Sequence, residues 1–239
     1  MLHLFTKRDT NDKIRAFLGA MTKHHRYRSW EHCYRYFQQA DGTPRKIVAA
    51  DPDHAALVLG FYLASWGMYR GSSFLLQFDY TIHLGVVTAL AAQHFEPLWQ
   101  AEFGSGQNDE TLVPAIFDAI DAIKDVYRPF ALAVESNEPS DTLVTKVLLG
   151  TFGCLPACDT YFISGFKDSG FKYSYLNSNF IRRALSICRE NLPVLRAEQA
   201  WIKSAGGIHY PLMKLVDMHF WQTGYDLEVA RTTPAPSAA

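Results

Sequence analysis

Apolar residues recur at helical spacing along most of the chain, so the pattern predicts helix after helix. Residues 11–22 set Ile14, Phe17, Leu18 and Met21 on one face. Residues 30–37 do the same with Trp30, Cys33, Tyr34 and Phe37, and Ser29 is the expected cap. A turn-rich connection is expected over 40–52, with Asp51 as cap and Pro52 as the first residue of the next helix. That helix, DPDHAALVLGFYLASWGM, is apolar on nearly every side and is expected to lie buried. Gly71 is its expected stop, and Ser72 or Ser73 the next cap.

The pattern predicts a second apolar helix over 74–103, broken or ended at Pro97, and then a polar loop over 104–110. The next helix turns Val113, Ile116, Phe117, Ile120, Ile123 and Val126 or Tyr127 inward and is expected to stop before Pro129. Ser140 or Asp141 should cap a further helix with an apolar stripe of Val144, Val147, Leu148 and Phe152. Gly153 and Pro156 end it. The segment TYFISGF offers another helix with Asp159 at its start, and ISGFKDSGFKYS reads as an exposed turn. Three more helices follow: one around 174–191, one ending on the Gly206–Gly207 pair, and one opened by Pro211. The tail RTTPAPSAA reads as disordered, and no internal repeat is present. The fold class is therefore all-α.

The 239 residues carry 23 Lys and Arg against 24 Asp and Glu, so no global basic character marks a nucleic-acid binder. Any such surface must be a local patch. The densest basic stretch holds Lys23, His24, His25, Arg26 and Arg28. It is either a solvated loop or a phosphate contact, with Tyr27 or Tyr34 adding stacking. Arg182, Arg183 and Arg189 offer a second patch with the same two readings. Cys33, Cys154, Cys158 and Cys188 are scattered, without the paired spacing of a zinc ribbon. They read as reduced, buried thiols of a cytoplasmic protein. Asp217 and His219, two apart on a helix, make a poor metal pair, so no metal is expected. No apolar run reaches the roughly 18 residues of a membrane span.

Asp159 is the one acid in an apolar turn, and by local chemistry it is either a helix cap or a functional carboxylate. The surrounding KVLLGTFGCLPACDTYF resembles the helix-hairpin-helix DNA glycosylases of the endonuclease III superfamily. There a hairpin helix runs through a Phe-Gly-x-Pro turn to a catalytic Asp-Thr-His; here the triplet is Asp159, Thr160, Tyr161. A second, ordered likeness lies at Leu63-Ala64-Ser65-Trp66, similar to the family's loop that fills the hole left by a flipped nucleotide. The resemblance implies Trp66 as wedge, with Tyr69, Arg70, Ser72 and Ser73 around the mouth. It implies two lobes, one of residues 1–50 plus 165–231 and one of about 51–164, acting as a monomer on double-stranded DNA without a cofactor.

Three departures from the family stand out. The hairpin positions Asn137, Glu138, Pro139 and Ser140 hold no glycine, which leaves Ser140, Thr142 and the helix N-terminus to meet phosphate. Thr142 stands where bifunctional members carry a lysine nucleophile, and Lys146, one turn later, is expected to face elsewhere. Only Cys188 follows Asp159, so the family's four-cysteine iron–sulfur cluster cannot form there. These departures imply a monofunctional enzyme using water as nucleophile. They are most similar to the bacterial antiphage glycosylases that remove glucosylated hydroxymethylcytosine from viral DNA. A repair glycosylase for alkylated or deaminated bases fits the same residues, and so does a non-enzymatic helical DNA- or protein-binding module. The least supported alternative is a metal-dependent hydrolase.

Overall fold

The computed structural model describes residues 7–38, 44–106, 109–136 and 138–232, and every regular element among them is helical. The helices are α1 (Lys7–Gly19), α2 (Arg28–Phe37), α3 (Pro44–Ala50), α4 (Pro52–Ser65), α5 (Leu84–Leu90), α6 (Glu96–Gln100), α7 (Asp109–Ala133), α8 (Asp141–Gly150), α9 (Thr160–Asp168), α10 (Ser178–Glu190), α11 (Leu192–Ser204) and α12 (Leu212–Thr232). None is long and apolar enough to cross a membrane. The tail after Thr232 and hairpin residue Asn137 lie outside the described residues.

Several boundaries move from their expected places. Ser29 does not cap α2; its hydroxyl is buried without a hydrogen-bond partner among the described residues. The 40–52 connection contains α3, because proline is compatible with a first helical turn. α4 ends at Ser65, where Gly67 takes a φ of 76° and the Met68 amide bonds back to Leu63. The long helix expected over 74–103 is broken into short pieces. Ser73 and Asp79 each accept an amide two residues on, which starts a fresh 3-10 turn each time. α7 continues through Pro129, which is exposed and lacks only the one amide hydrogen bond, while Tyr127 and Ala131 stay buried on either side. The first half of the expected turn over 163–174 belongs to α9 and only the second half is irregular, and the expected lobe boundary at 164–165 falls inside that unbroken helix.

α8 is the centre: every residue from Leu143 to Gly150 is buried. A buried helix end leaves carbonyls without partners. Here neighbouring side chains supply them. The Trp30 indole donates to Leu149, the Cys33 thiol to Gly150, the Gln38 amide to Thr151 and the Tyr62 hydroxyl to Lys146. α8 also fixes the chain that follows it. Thr145 accepts the Cys158 amide at 2.9 Å and Thr142 donates to the Cys158 carbonyl at 2.7 Å. From α12, Asp217 accepts the Ala157 amide at 2.9 Å. The irregular 151–159 segment is thus bonded from both sides before α9 begins.

α9 and α12 cross with their backbones in contact. A Cβ on Gly165 would overlap the Phe220 carbonyl oxygen, and one on Gly224 the Tyr161 carbonyl oxygen. We expect Gly224→Ala to destabilise the fold by about 3 kcal/mol, because the obstacle is main chain and cannot rotate away. Gly19→Ala, at a position with nothing within 4 Å, should be neutral. Urea midpoints of the two variants check this.

Behind the 66–73 loop, His83 is fully buried between two phenols. Its Nε2 lies 2.8 Å from the Tyr69 hydroxyl and its Nδ1 2.6 Å from that of Tyr127. Burial lowers the His83 pKa to about 4. The unfolded chain therefore takes up a proton, below about pH 6.5, that the folded chain refuses. The stability His83 contributes is complete above that pH and is lost as pH falls through about 4. Acidification from about pH 7 to 5 should cost roughly 2 kcal/mol through this residue. In His83→Gln, which keeps a donor and an acceptor, the shift of the urea midpoint between those pH values should shrink by that amount.

Candidate active site

A cleft of about 760 Å³ opens between the 66–74 loop, the first turns of α8 and α9, and Trp221 and Glu228 of α12. Among the residues expected to form a site, it brings together Arg26, Trp66, Arg70, Ser72, Ser73, Ser140, Thr142, Asp159 and Tyr161. Tyr69 is not among its walls, since its hydroxyl is engaged with His83. Of the expected basic cluster only Arg26 reaches it. Lys23 is exposed elsewhere, and the His25 ring accepts the Tyr27 amide and packs edge-on to the Tyr27 ring. Arg28 pairs with Glu31 at 2.8 Å and donates to the Met21 and Thr22 carbonyls, which makes it a fastener of its own loop.

Both local readings of Asp159 apply, one to each oxygen. Its Oδ1 accepts the Phe162 amide at 3.1 Å and caps α9. Its Oδ2 lies 3.3 Å from Nζ of Lys146, and the side chain is 16% exposed on the cleft. Ser140 caps α8 in the same way, accepting the Leu143 amide at 3.2 Å. The Thr142 hydroxyl borders the cleft but is already given to Cys158.

Lys146 does not face elsewhere. Residues four apart on a helix share a face, so Lys146 stands directly beyond Thr142 on the side of α8 that meets Asp159. That spacing is the signal from which it could have been found. Its ammonium also donates to the Trp66 carbonyl at 3.1 Å. Burial lowers its pKa, and Asp159 opposes the shift.

Trp66 is a wall of the cleft, not a projecting wedge. Its indole is only 8% exposed and stacks on Tyr27 with ring centres 4.5 Å apart. Two ammonium groups lie near the ring: Lys146 at 5.0 Å and Lys214 at 4.8 Å. An aromatic ring attracts cations, and these contacts hold it on the protein side. Its Nε1 has no hydrogen-bond partner among the described residues. Trp221 continues the aromatic wall, edge-on to Tyr161 at 5.0 Å and to Tyr27 at 5.5 Å. Behind it, Lys214 is paired with Asp217 at 2.7 Å. Burial raises the Asp217 pKa and Lys214 opposes the shift. Asp217 is therefore part of the scaffold.

The chain matches no known protein family, no curated protein and no solved structure. Chemically, the cleft presents the Asp159 carboxylate with one exposed face, a buried cation fixing its other side, flat aromatic surface beside it, and in its lining two arginines, Arg26 and Arg70, with two further acids, Glu138 and Glu228. Such a carboxylate can stabilise a developing positive charge and orient a water molecule.

The pair also makes a stability prediction. Asp159→Asn keeps a cap but leaves a desolvated ammonium without its carboxylate, at a cost of about 3 kcal/mol. Lys146→Met leaves Asp159 facing the cleft and should cost less. The double variant should recover most of the loss, as urea midpoints in a double-mutant cycle would record.

Proposed function

We propose that the protein is a monofunctional DNA glycosylase. It hydrolyses the N-glycosidic bond of a base flipped from duplex DNA and leaves an abasic site. The observation that carries this reading is Asp159 itself: a carboxylate fixed on two sides in an aromatic-walled cleft, where Glu138 and Glu228 are the other acids of the lining. A base in the stack is out of reach, so it must leave the duplex at a cost of a few kcal/mol. Aromatic walls such as Tyr27 and Tyr161 offer the flipped base a stacking surface in exchange. Breaking the bond builds oxocarbenium character on the sugar, which the carboxylate stabilises while water attacks.

Two observations refine the proposal. The cleft volume falls well inside the ~300–1,000 Å³ range of small-molecule sites. It leaves room for a base enlarged by a substituent, such as glucosylated hydroxymethylcytosine of phage DNA, the substrate an antiviral enzyme would take. A repair enzyme for alkylated or deaminated bases would need less room. Lys146 is 4% exposed and committed to Asp159 and the Trp66 carbonyl, which favours attack by water over attack by an amine.

Duplexes carrying glucosylated hydroxymethylcytosine, alkylated or deaminated bases, treated with alkali after incubation, should show cleavage at abasic sites for at least one modification. Asp159→Asn should lower release by about 100-fold or more while binding DNA as before. Borohydride should trap no covalent complex. If wild type and variant bind DNA alike and neither releases any base, Asp159 is only a cap and the protein is a binding module.

A further inference from the structure

A second groove of about 780 Å³ lies on another face, between the 170–177 segment and α10. We infer that this groove holds the phosphodiester backbone of the nucleic acid, an inference that rests on the reading of this protein as one acting on DNA.

Lys172, Arg182, Arg183 and Arg189 all line the groove and are exposed, and Glu110 is the one acid among its described residues. In a chain of net charge −1, that is a strong local excess. Three of the four cations are arginines, whose planar forks match phosphate oxygens. Existing contacts orient them without using up their charge. Arg182 meets Glu110 at 2.9 Å, but with 49% and 64% of the side chains exposed such a pair is weak and exchanges readily for phosphate. Arg189 stands 4.0 Å from Asp109, which already accepts the Gly104 and Gly106 amides. Arg183 lies over the Phe171 ring at 5.9 Å, which leaves its N–H groups unspent in that contact.

Neutral groups favour a nucleic acid over an acidic protein. Asn177 and Asn179 line the groove beside Tyr175, whose ring is 63% exposed. Amide donors to phosphate and an open aromatic face for a sugar or base are the usual companions of arginine at such surfaces.

The groove is also tied to the cleft. The Tyr173 hydroxyl and the Leu176 amide both donate to Oδ2 of Asp141, at 2.9 and 2.7 Å. Asp141 sits between Ser140 and Thr142, which border the cleft. The first turn of α8 therefore borders the cleft and, through Asp141, holds Tyr173 of the groove wall. The cleft takes the flipped nucleotide, and the groove takes the flanking backbone.

The test measures binding of a fluorescent duplex across about 50 to 200 mM salt, a range over which phosphate contacts weaken steeply. Arg182→Gln/Arg183→Gln should bind roughly ten-fold more weakly, with the slope of log affinity against log salt reduced by about 2. Lys203→Ala/Arg231→Ala, which removes equal charge elsewhere, should leave the slope unchanged. Equal loss in both pairs, or no loss in the first, overturns the assignment. Poly-glutamate should compete far less well than unlabelled duplex; equal competition would assign the groove to an acidic protein instead. Base release by the wild-type protein, read beside the binding of the arginine variant, separates the two readings. Arginine-dependent binding with no base release from any substrate sinks the chemistry of the cleft and leaves the groove standing. Base release with arginine-independent binding does the reverse.

Discussion

Lys146, Lys214 and Asp217 are buried in an interior that is otherwise mostly aromatic and aliphatic, Asp159 borders it on the cleft, and none of the three buried charges could remain there alone. Desolvating a single charge costs several kcal/mol even after relaxation. Lys214 and Asp217 answer each other, Lys146 answers Asp159, and the Trp66 ring lies close to both cations. The arrangement sets a direction. Asp217 looks inward and holds the Ala157 amide, while Asp159, two residues further along the chain, looks outward onto the cleft. Fixing the first carboxylate thereby places the second.

The helices that build the core were the easiest part to read. α8, α10 and the first face of α2 announce themselves by apolar spacing, because each buries a stripe against neighbours. Breaks were harder. Pro129 looked like a stop, yet an exposed proline between two buried anchors costs one hydrogen bond and no more of the helix. The 74–103 stretch looked continuous because its apolar residues keep helical spacing, while short side-chain bonds from Ser73 and Asp79 interrupt it. Such bonds are local competitors of the helix and leave little trace in hydropathy.

The site was legible in its outline. The 66–73 loop, Ser140, Asp159 and Tyr161 converge on one cleft although up to 95 residues separate them along the chain (66 to 161). The orientation of individual groups was not legible. Trp66 looked like a protruding wedge because its loop resembles one, but contact with two lysines from α8 and α12 turns it into a wall. Tyr69 looked like a mouth residue until His83, fourteen positions on, claimed its hydroxyl. These outcomes depend on partners far away in sequence, which neither spacing nor composition encodes.

The glycine crossing of α9 and α12 bears on how the cleft can admit something large. Where side chains separate two helices, they can slide as rotamers adjust; where main chain touches main chain, there is no compliant layer. Asp159, Tyr161 and Trp221 therefore belong to one stiff jaw. The opposite jaw, the 66–73 loop, is built differently: it turns at Gly67 and Gly71 with positive φ and carries Arg70 exposed, and the side chains of Lys146 and Tyr27 pack against its Trp66. The two sides of the cleft thus differ in kind: the carboxylate sits on a main-chain seam, and the arginine on a glycine-hinged turn.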